Sequence, residues 1–290
     1  MTATGDVTQH ERAAAFRDMH RAHARGILVL PNAWDAMSAR LIEEAGARAI
    51  ATTSSGVAWS LGCRDGHGAT RQDVVAAVRR IADTVRVPVT ADVESGYGKG
   101  TPSDVAETVR AIIGAGAVGI NLEDTPGLNG QTILAPAQQA ERLAAARAAA
   151  VSEGVNLYIN ARIDVYLRHV GLEAERFGDT ARRAKAYVDA GASGVFVPGV
   201  TDVMTIGRLV DAIDAPLNIM AGPGAPSPVA LQKLGVSRVS LGPGIALAVM
   251  MQIRLSAFEV LTAGTYDSMR GGVPFGEANA LFPAITASAP

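Results

Sequence analysis

Four stretches of the chain repeat one plan: a helix-compatible segment, a glycine, then a β-branched run that ends in polar or glycine residues. They are LIEEAGARAIATTSSG (41–56), IIGAGAVGINLED (112–124), YVDAGASGVFVPG (187–199) and LQKLGVSRVSLGPG (231–244). Gly46, Gly116, Gly191 and Gly235 each stand where a helix end takes a left-handed residue, and a strand starts a few positions later. Helices that turn directly into apolar strands, again and again, demand a parallel sheet with helical crossovers. Candidate strands fall at 27–31, 48–53, 87–92, 117–122, 156–161, 193–197, 216–220 and 237–241, with amphipathic helices such as 72–85 and 102–116 between them. The competing open doubly wound sheet would carry a G-x-G-x-x-G turn after the first strand, and LVLPNAWDA (28–36) has none. The expected fold is therefore α/β, a single-domain (β/α)8 TIM barrel. Residues 1–12 read as a disordered arm, 13–264 as the barrel with its closing helix, and 265–290 as a C-terminal extension. GIALAVMMQIRLSAFEVLTAG (244–264) is apolar around most of a helix, so it is either buried or packed on a neighbouring subunit.

Composition narrows the class. The chain has 290 residues, 48% of them hydrophobic and 19% charged, enough for one large core. A formal charge of −2 gives no electrostatic case for nucleic acid or an anionic membrane. Apolar runs such as IALAVMM (245–251) read as too short to span a bilayer, and MTATGDVTQHER lacks a secretory signal pattern. Cys63 is the one cysteine, which excludes an intramolecular disulfide and disfavours a thiolate metal site. The expected setting is cytoplasmic.

In a barrel the site lies at the C-terminal strand ends. Three of those ends carry acids: ADVESGYG (91–98), INLEDTPG (120–127) and INARID (159–164). Alternate strand residues share a face, which pairs Asp92 with Glu94, Asn121 with Glu123, and Asn160 with Arg162 and Asp164. Carboxylates gathered at one mouth repel unless a cation lies between them. Asp92, Glu94 and Glu123 are oxygen donors suited to Mg2+, with Mn2+ as the alternative, and nothing in the chain has zinc-ligand spacing. Arg162 has the planar fork that grips a carboxylate, and the TTSSG turn (52–56) offers hydroxyls and backbone N–H groups for an anion. Asn218 follows from the seventh strand. His67, in the loop SLGCRDGHG (60–68), reads as a solvated histidine, and GYGKG (96–100) as a turn without Walker spacing.

The order TTSSGVAWSLGCRDG, VPVTADVESGYG, GINLED, INARID, VFVPG and SLGPG resembles the isocitrate lyase/phosphoenolpyruvate mutase superfamily along residues 14–262. The resemblance implies a barrel whose last helix is exchanged between subunits of a dimer or dimer of dimers. It implies Mg2+ and an enolate formed as a C–C or P–C bond breaks. It makes Asp92, Glu94 and Glu123 the metal set, Thr53, Ser54 and Ser55 the carboxylate cradle, Asp65 a residue lining the site, and Arg162 the grip on the substrate's far end. Lyases of the superfamily carry a K-[KR]-C-G-H loop after the fourth strand, but here TPGLNGQTIL (125–134) has no Cys, Lys or His. Only Asn129 answers the Lys and Asn of the mutases. The expected function is a Mg2+-dependent C–C lyase of a small 2-oxo or 2-hydroxy carboxylate, similar to an oxaloacetate decarboxylase or hydrolase. The alternatives are a P–C bond enzyme, a phosphonopyruvate hydrolase or mutase, and a non-catalytic metabolite-binding barrel.

Overall fold

The computed structural model describes residues 8–21, 26–126 and 132–282; half of the segment 125–134, Asn129 included, lies outside them. All eight expected strands form. The first is split into β1 (Leu28–Leu30) and β2 (Asn32–Ala33). Pro31 stands between the two and has no amide hydrogen to offer a ladder. The others are β3 (Ile50–Thr52), β4 (Val89–Asp92), β5 (Gly119–Glu123), β6 (Tyr158–Arg162), β7 (Gly194–Val197), β8 (Leu217–Met220) and β9 (Arg238–Ser240). Every pairing is parallel, with β1 against β9 and β2 against β3. One short segment thus joins both edges of the sheet, and the barrel closes. Closure leaves no edge strand to protect.

The helix-to-strand glycines behave as the repeat requires. Gly46, Gly116, Gly191 and Gly235 take φ of 94°, 95°, 103° and 92°. Helix starts are also written locally. Thr70 caps α4 (Arg71–Thr84) with Asp73, and Thr101 caps α5 (Pro102–Gly114) with Asp104, each a reciprocal capping box. Earlier in the chain lie α1 (Gln9–Met19), α2 (Ala36–Glu44) and α3 (Ser54–Ser60). Later come α6 (Pro136–Ser152), α7 (Glu173–Asp189), α8 (Val203–Ala212), α9 (Pro228–Lys233), α10 (Gly244–Thr262) and α11 (Phe275–Ala280).

Helix α1 crosses the N-terminal ends of the strands. Gln9 donates to the carbonyls of Ile113 and Ala117, and Arg17 to Ser193 Oγ and the Leu157 carbonyl. Phe16 is wholly buried over Gly119, where a Cβ would lie 2.8 Å from its ring and 2.7 Å from Thr90 Oγ1. His20 stacks on Tyr158 with ring centroids 3.7 Å apart, and its Nδ1 bonds the Phe16 carbonyl. Part of the segment expected to be a disordered arm therefore belongs to the folded closure of the barrel.

Helix α10 departs from the reading of a buried closing helix and from the reading of its apolar run as too short. It does not close the core as a buried helix, since Ala246 is its one buried residue. Met250, Met251, Ile253, Leu255, Phe258 and Leu261 stand exposed. The run 245–251 looked short, but the 19-residue helix, which holds an 18-residue window of mean hydropathy 1.6, is long and apolar enough by length and composition to cross a membrane. Gln252, Arg254 and Glu259 interrupt it, and Glu259 accepts bonds from Thr265, Asp267 and Ser268 of the extension. The extension then returns to the barrel, where Arg40 Nε donates to the Leu281 carbonyl.

Burial pushes the His20 imidazole down to about 3, with the Arg238 charge adding to it. An unfolded histidine titrates near 6.5, so the folded chain resists a proton that the unfolded chain accepts. The resulting stability is complete above that pH and drains away as pH falls toward about 3. Replacing His20 with Leu should flatten urea-unfolding stability against pH by roughly 1.4 kcal/mol per pH unit on the acid side of 6. Equal slopes in the two proteins would place the acid-sensitive group elsewhere.

Candidate active site

The C-terminal mouth gathers the acids in two groups. The first is built on β4 and the loop after it. Asp92 ends the strand, its N–H held by Thr52 Oγ1 at 2.8 Å. Its carboxylate accepts from Ser54 Oγ at 2.9 Å and from the Ser54 and Glu94 backbone N–H groups at 3.4 Å. Glu94 accepts from the His67 N–H and from Tyr97 Oη at 3.3 Å. His67 Nε2 in turn meets Ser95 Oγ at 2.7 Å. Three non-glycine residues here, His67, Glu94 and Tyr97, sit at φ of 63°, 49° and 58°. Such left-handed backbone costs of order 1–3 kcal/mol per residue and gathers at functional sites.

The second group joins β5 and β6. Arg162 Nη1 meets Glu123 at 2.8 Å, while Nε and Nη2 hold Asp164 at 2.7 and 3.1 Å. Asp164 is fully buried and also accepts from Thr125 Oγ1 at 2.8 Å and from Arg168 at 3.3 Å. Asp124 points outward into a brace, accepting from Arg183, Tyr187 Oη and the Asp164 N–H at 3.2, 2.9 and 3.0 Å. Arg142 reaches in from α6 to the Ser95 and Glu123 carbonyls. It ties the two groups together.

Burial dominates the electrostatics. It raises Asp92, pushes Glu94 up to about 7 with Asp92 adding repulsion, and pushes Glu123 up to about 8 against the pull of Arg162. Burial works against the Arg162 charge too, but Glu123, Asp164 and Asp92 outweigh it and hold that group above its ordinary value. His67 is shifted down, first by burial and then by Arg142. It therefore offers Glu94 little positive charge, although Nε2 lies 3.7 Å from the carboxylate.

The sequence-predicted residues fare differently. Asp92, Glu94 and Glu123 share one electrostatic neighbourhood, and the charge of Asp65, exposed on its loop, reaches Asp92 and Glu94. Thr53, Ser54 and Ser55 are buried at the start of α3, Thr53 and Ser55 sharing a hydroxyl contact at 3.0 Å and Ser54 serving Asp92. Asn218 lies inside the barrel, its amide engaged by Ser240 at 3.0 and 3.3 Å. Asn32 stitches Thr52 to Leu241, and Asp35 caps α2. Sequence reasoning did not select Ser95, Tyr97 or Arg142, and it read His67 as solvated. Tyr97 lies inside the quoted GYG motif, whereas an arginine in an Ala-rich helix carries no local signal.

Among the described residues no three Asp, Glu, His or Cys side chains converge at metal-holding distance. The donor set nonetheless fits a hard cation bound partly through water. Asp92 and Glu94 are neighbouring carboxylates served by neutral hydroxyl and amide donors, without an Arg or Lys ion pair among the described residues. Glu123 is turned to Arg162. A cation would offset the burial, and the added repulsion between the acids, that raise all three.

The chain matches the family model described as Phosphoenolpyruvate phosphomutase over residues 16–261. It is 38% identical over 229 residues to an uncharacterised Mycobacterium tuberculosis protein (strain ATCC 25618 / H37Rv), covering 79% of this chain and 81% of that one. It is 33% identical over 190 residues to the 2-methylisocitrate lyase of Escherichia coli (strain K12), covering 63% and 61% respectively. A crystal structure from Burkholderia cenocepacia J2315, described as a candidate lyase/mutase, superposes with a TM-score of 0.87 at 36% identity, covering 96% and 97% of the two chains. In fold the chain is also similar to a phosphonopyruvate hydrolase in complex with oxalate and Mg++, with a TM-score of 0.81 at 22% identity over 93% and 94% of the chains.

Gly96 follows Glu94 closely at φ 93°, and a Cβ there would lie 2.6 Å from Val105 Cγ2. Gly96→Ala should cost about 2–3 kcal/mol of unfolding free energy, read in urea. A loss below about 0.5 kcal/mol would mean that the loop relaxes without strain.

Proposed function

The chain belongs to the phosphoenolpyruvate phosphomutase family, and from that premise we propose that it is a Mg2+-dependent lyase cleaving a C–C bond of a small 2-oxo or 2-hydroxy carboxylate. The reading is oxaloacetate decarboxylase- or hydrolase-like, through an enolate. The observation that carries it is the pairing of Asp92 and Glu94, which lack Arg or Lys partners among the described residues, with Arg162 on the facing strands. The gate sequence 125–134 supports simple cleavage, because it has no thiol, lysine or histidine for aldol-type acid–base work.

Asp92 and Glu94 would hold the metal, joined by Glu123 on leaving Arg162. Bound there, Mg2+ supplies positive charge for the electron pair that develops on the substrate's 2-oxygen, worth several kcal/mol. Arg162 binds the far carboxylate at the Nη1 edge now given to Glu123, while Asp164 keeps Nε and Nη2 in place. Asp65 lines the entrance from its loop. Thr53, Ser54 and Ser55 would cradle the substrate's near carboxylate, with Ser54 also holding Asp92, and Asn218 would add a substrate contact from inside the barrel wall. In a decarboxylation the pair from the broken C–C bond stays on the enolate of the remaining 2-oxo acid, and CO2 leaves. The second reading is P–C cleavage, favoured by the fold shared with a phosphonopyruvate hydrolase.

The exposed apolar face of α10 further supports a homo-oligomer, a dimer or dimer of dimers with this helix exchanged between subunits, working in the cytoplasm on a small carboxylate. Light scattering should give at least twice the chain mass of 29.9 kDa. A monomer at micromolar concentration would refute it.

Oxaloacetate and phosphonopyruvate assayed side by side, with and without EDTA, separate the two chemistries. Turnover of neither by Mg2+-loaded protein would count against both. Asp92→Ala should abolish the EDTA-sensitive rate while circular dichroism stays unchanged; surviving metal-dependent activity would remove Asp92 from the metal set. Arg162→Lys should raise KM by roughly tenfold or more, since a forked grip becomes a point contact. An unchanged KM would move the substrate's far end elsewhere.

A further inference from the structure

Arg238 opens β9 and is fully buried, yet no carboxylate forms an ion pair with it among the described residues. Its Nε donates to Ser240 Oγ at 3.2 Å and its Nη2 to Asn121 Oδ1 at 3.4 Å, and Nη1 has no protein partner among the described residues. Each of those contacts leads on. Asn121 Oδ1 also accepts from Asn160 Nδ2 at 2.9 Å, and Ser240 holds both ends of the Asn218 amide. Strand register sets Asp92, Asn121 and Asn160 in one row across β4, β5 and β6. Glu123 and Arg162 are paired two residues further along, toward the mouth. The guanidinium therefore anchors an amide row that includes the level of Asp92 and lies beneath the Glu123–Arg162 pair.

A buried guanidinium without a counter-ion costs several kcal/mol, and an aliphatic side chain of similar volume would fill the space more cheaply. The β9 ladder uses backbone groups alone, so strand pairing does not require Arg238. What the position does offer is a fixed positive charge beneath a mouth lined by Asp65, Asp92, Glu94 and Glu123, where Arg162 is already shared between Glu123 and Asp164. Burial opposes the Arg238 charge, and Tyr158 and then Asp92 favour it.

We propose that Arg238 is a positioning residue of the active site, holding the Asn121–Asn160 amide row as the pocket floor and biasing a carboxylate-lined mouth toward an anionic ligand. The proposal rests on the reading of the acids as a metal and substrate site. A structural filler and an electrostatic floor respond differently to substitution. Loss of the charge tightens a cation and loosens an anion at the same mouth, a pair of opposite signs that general loosening of the fold does not produce.

The test titrates Mn2+, and then oxalate, into metal-free and Mn2+-loaded protein by calorimetry, for wild type, Arg238→Met and Arg238→Lys. Arg238→Met should melt no lower than wild type, bind Mn2+ about threefold more tightly, and bind oxalate about tenfold more weakly in both forms. Arg238→Lys retains the charge and loses the fork, so Mn2+ affinity should match wild type while oxalate weakens by about threefold. Wild-type affinities for both probes in Arg238→Met, or weakening of both together, would overturn the proposal. If Arg238→Met fails to fold, Arg238→Lys decides, and its binding oxalate like wild type overturns the claim for the fork. If wild type binds oxalate but no Mn2+, the metal reading fails and Arg238 is judged on metal-free oxalate binding alone. If wild type binds neither, both readings fall.

Discussion

Charge burial at the mouth of a closed parallel barrel governs this molecule. Glu123, Arg162 and Asp164 form a chain of contacts at 2.7–3.1 Å that spans the ends of β5 and β6. Desolvating such groups is costly, and removing one would leave the others uncompensated. Asp164 and Asp124 therefore bring in Thr125, Arg168, Arg183 and Tyr187, which couples the strand ends to α7. The Asp92–Glu94 pair is left with neutral donors. That asymmetry separates the part of the mouth that is braced from the part with charge left for a ligand.

The opposite end of the barrel follows the same logic with a different outcome. There α1 seats Phe16 against Gly119 and stacks His20 on Tyr158, which closes the interior with aromatic surface. Between plug and mouth the barrel is filled by Asn121, Asn160, Asn218, Ser240 and Arg238 instead of the branched aliphatics that usually fill such layers. A polar filling is less favourable per residue and is tolerated because most of it is mutually hydrogen-bonded.

Family membership and site chemistry constrain each other. The chain shares its barrel fold with solved structures described as a mutase and a hydrolase, and in this chain the barrel presents acids and an arginine at one mouth. In this chain the segment after β5 (125–134) has no Cys, Lys or His, and its polar side chains are Thr125, Asn129, Gln131 and Thr132. The exposed α10 belongs to a second layer of constraint, since an apolar helix of this length lying outside the core needs some surface to cover it.

The sequence by itself determined the eight strands, the closing glycines and the three acid-bearing strand ends, because each depends on local periodicity or on one residue's backbone freedom. Gly46, Gly116, Gly191 and Gly235 could be placed from the repeat alone, and all four take positive φ. Tertiary structure decided partners. That Asp124 braces Arg183 while Glu123 meets Arg162, that Arg142 crosses from α6, and that Asn218 is spent on Ser240 depends on contacts between residues far apart in the chain. His67 read as solvated because its loop is polar, yet folding sets it against Glu94 and Ser95. A pattern along the chain specifies which face a side chain takes; only closure of the barrel specifies what stands opposite, since register, twist and crossing helices set those distances.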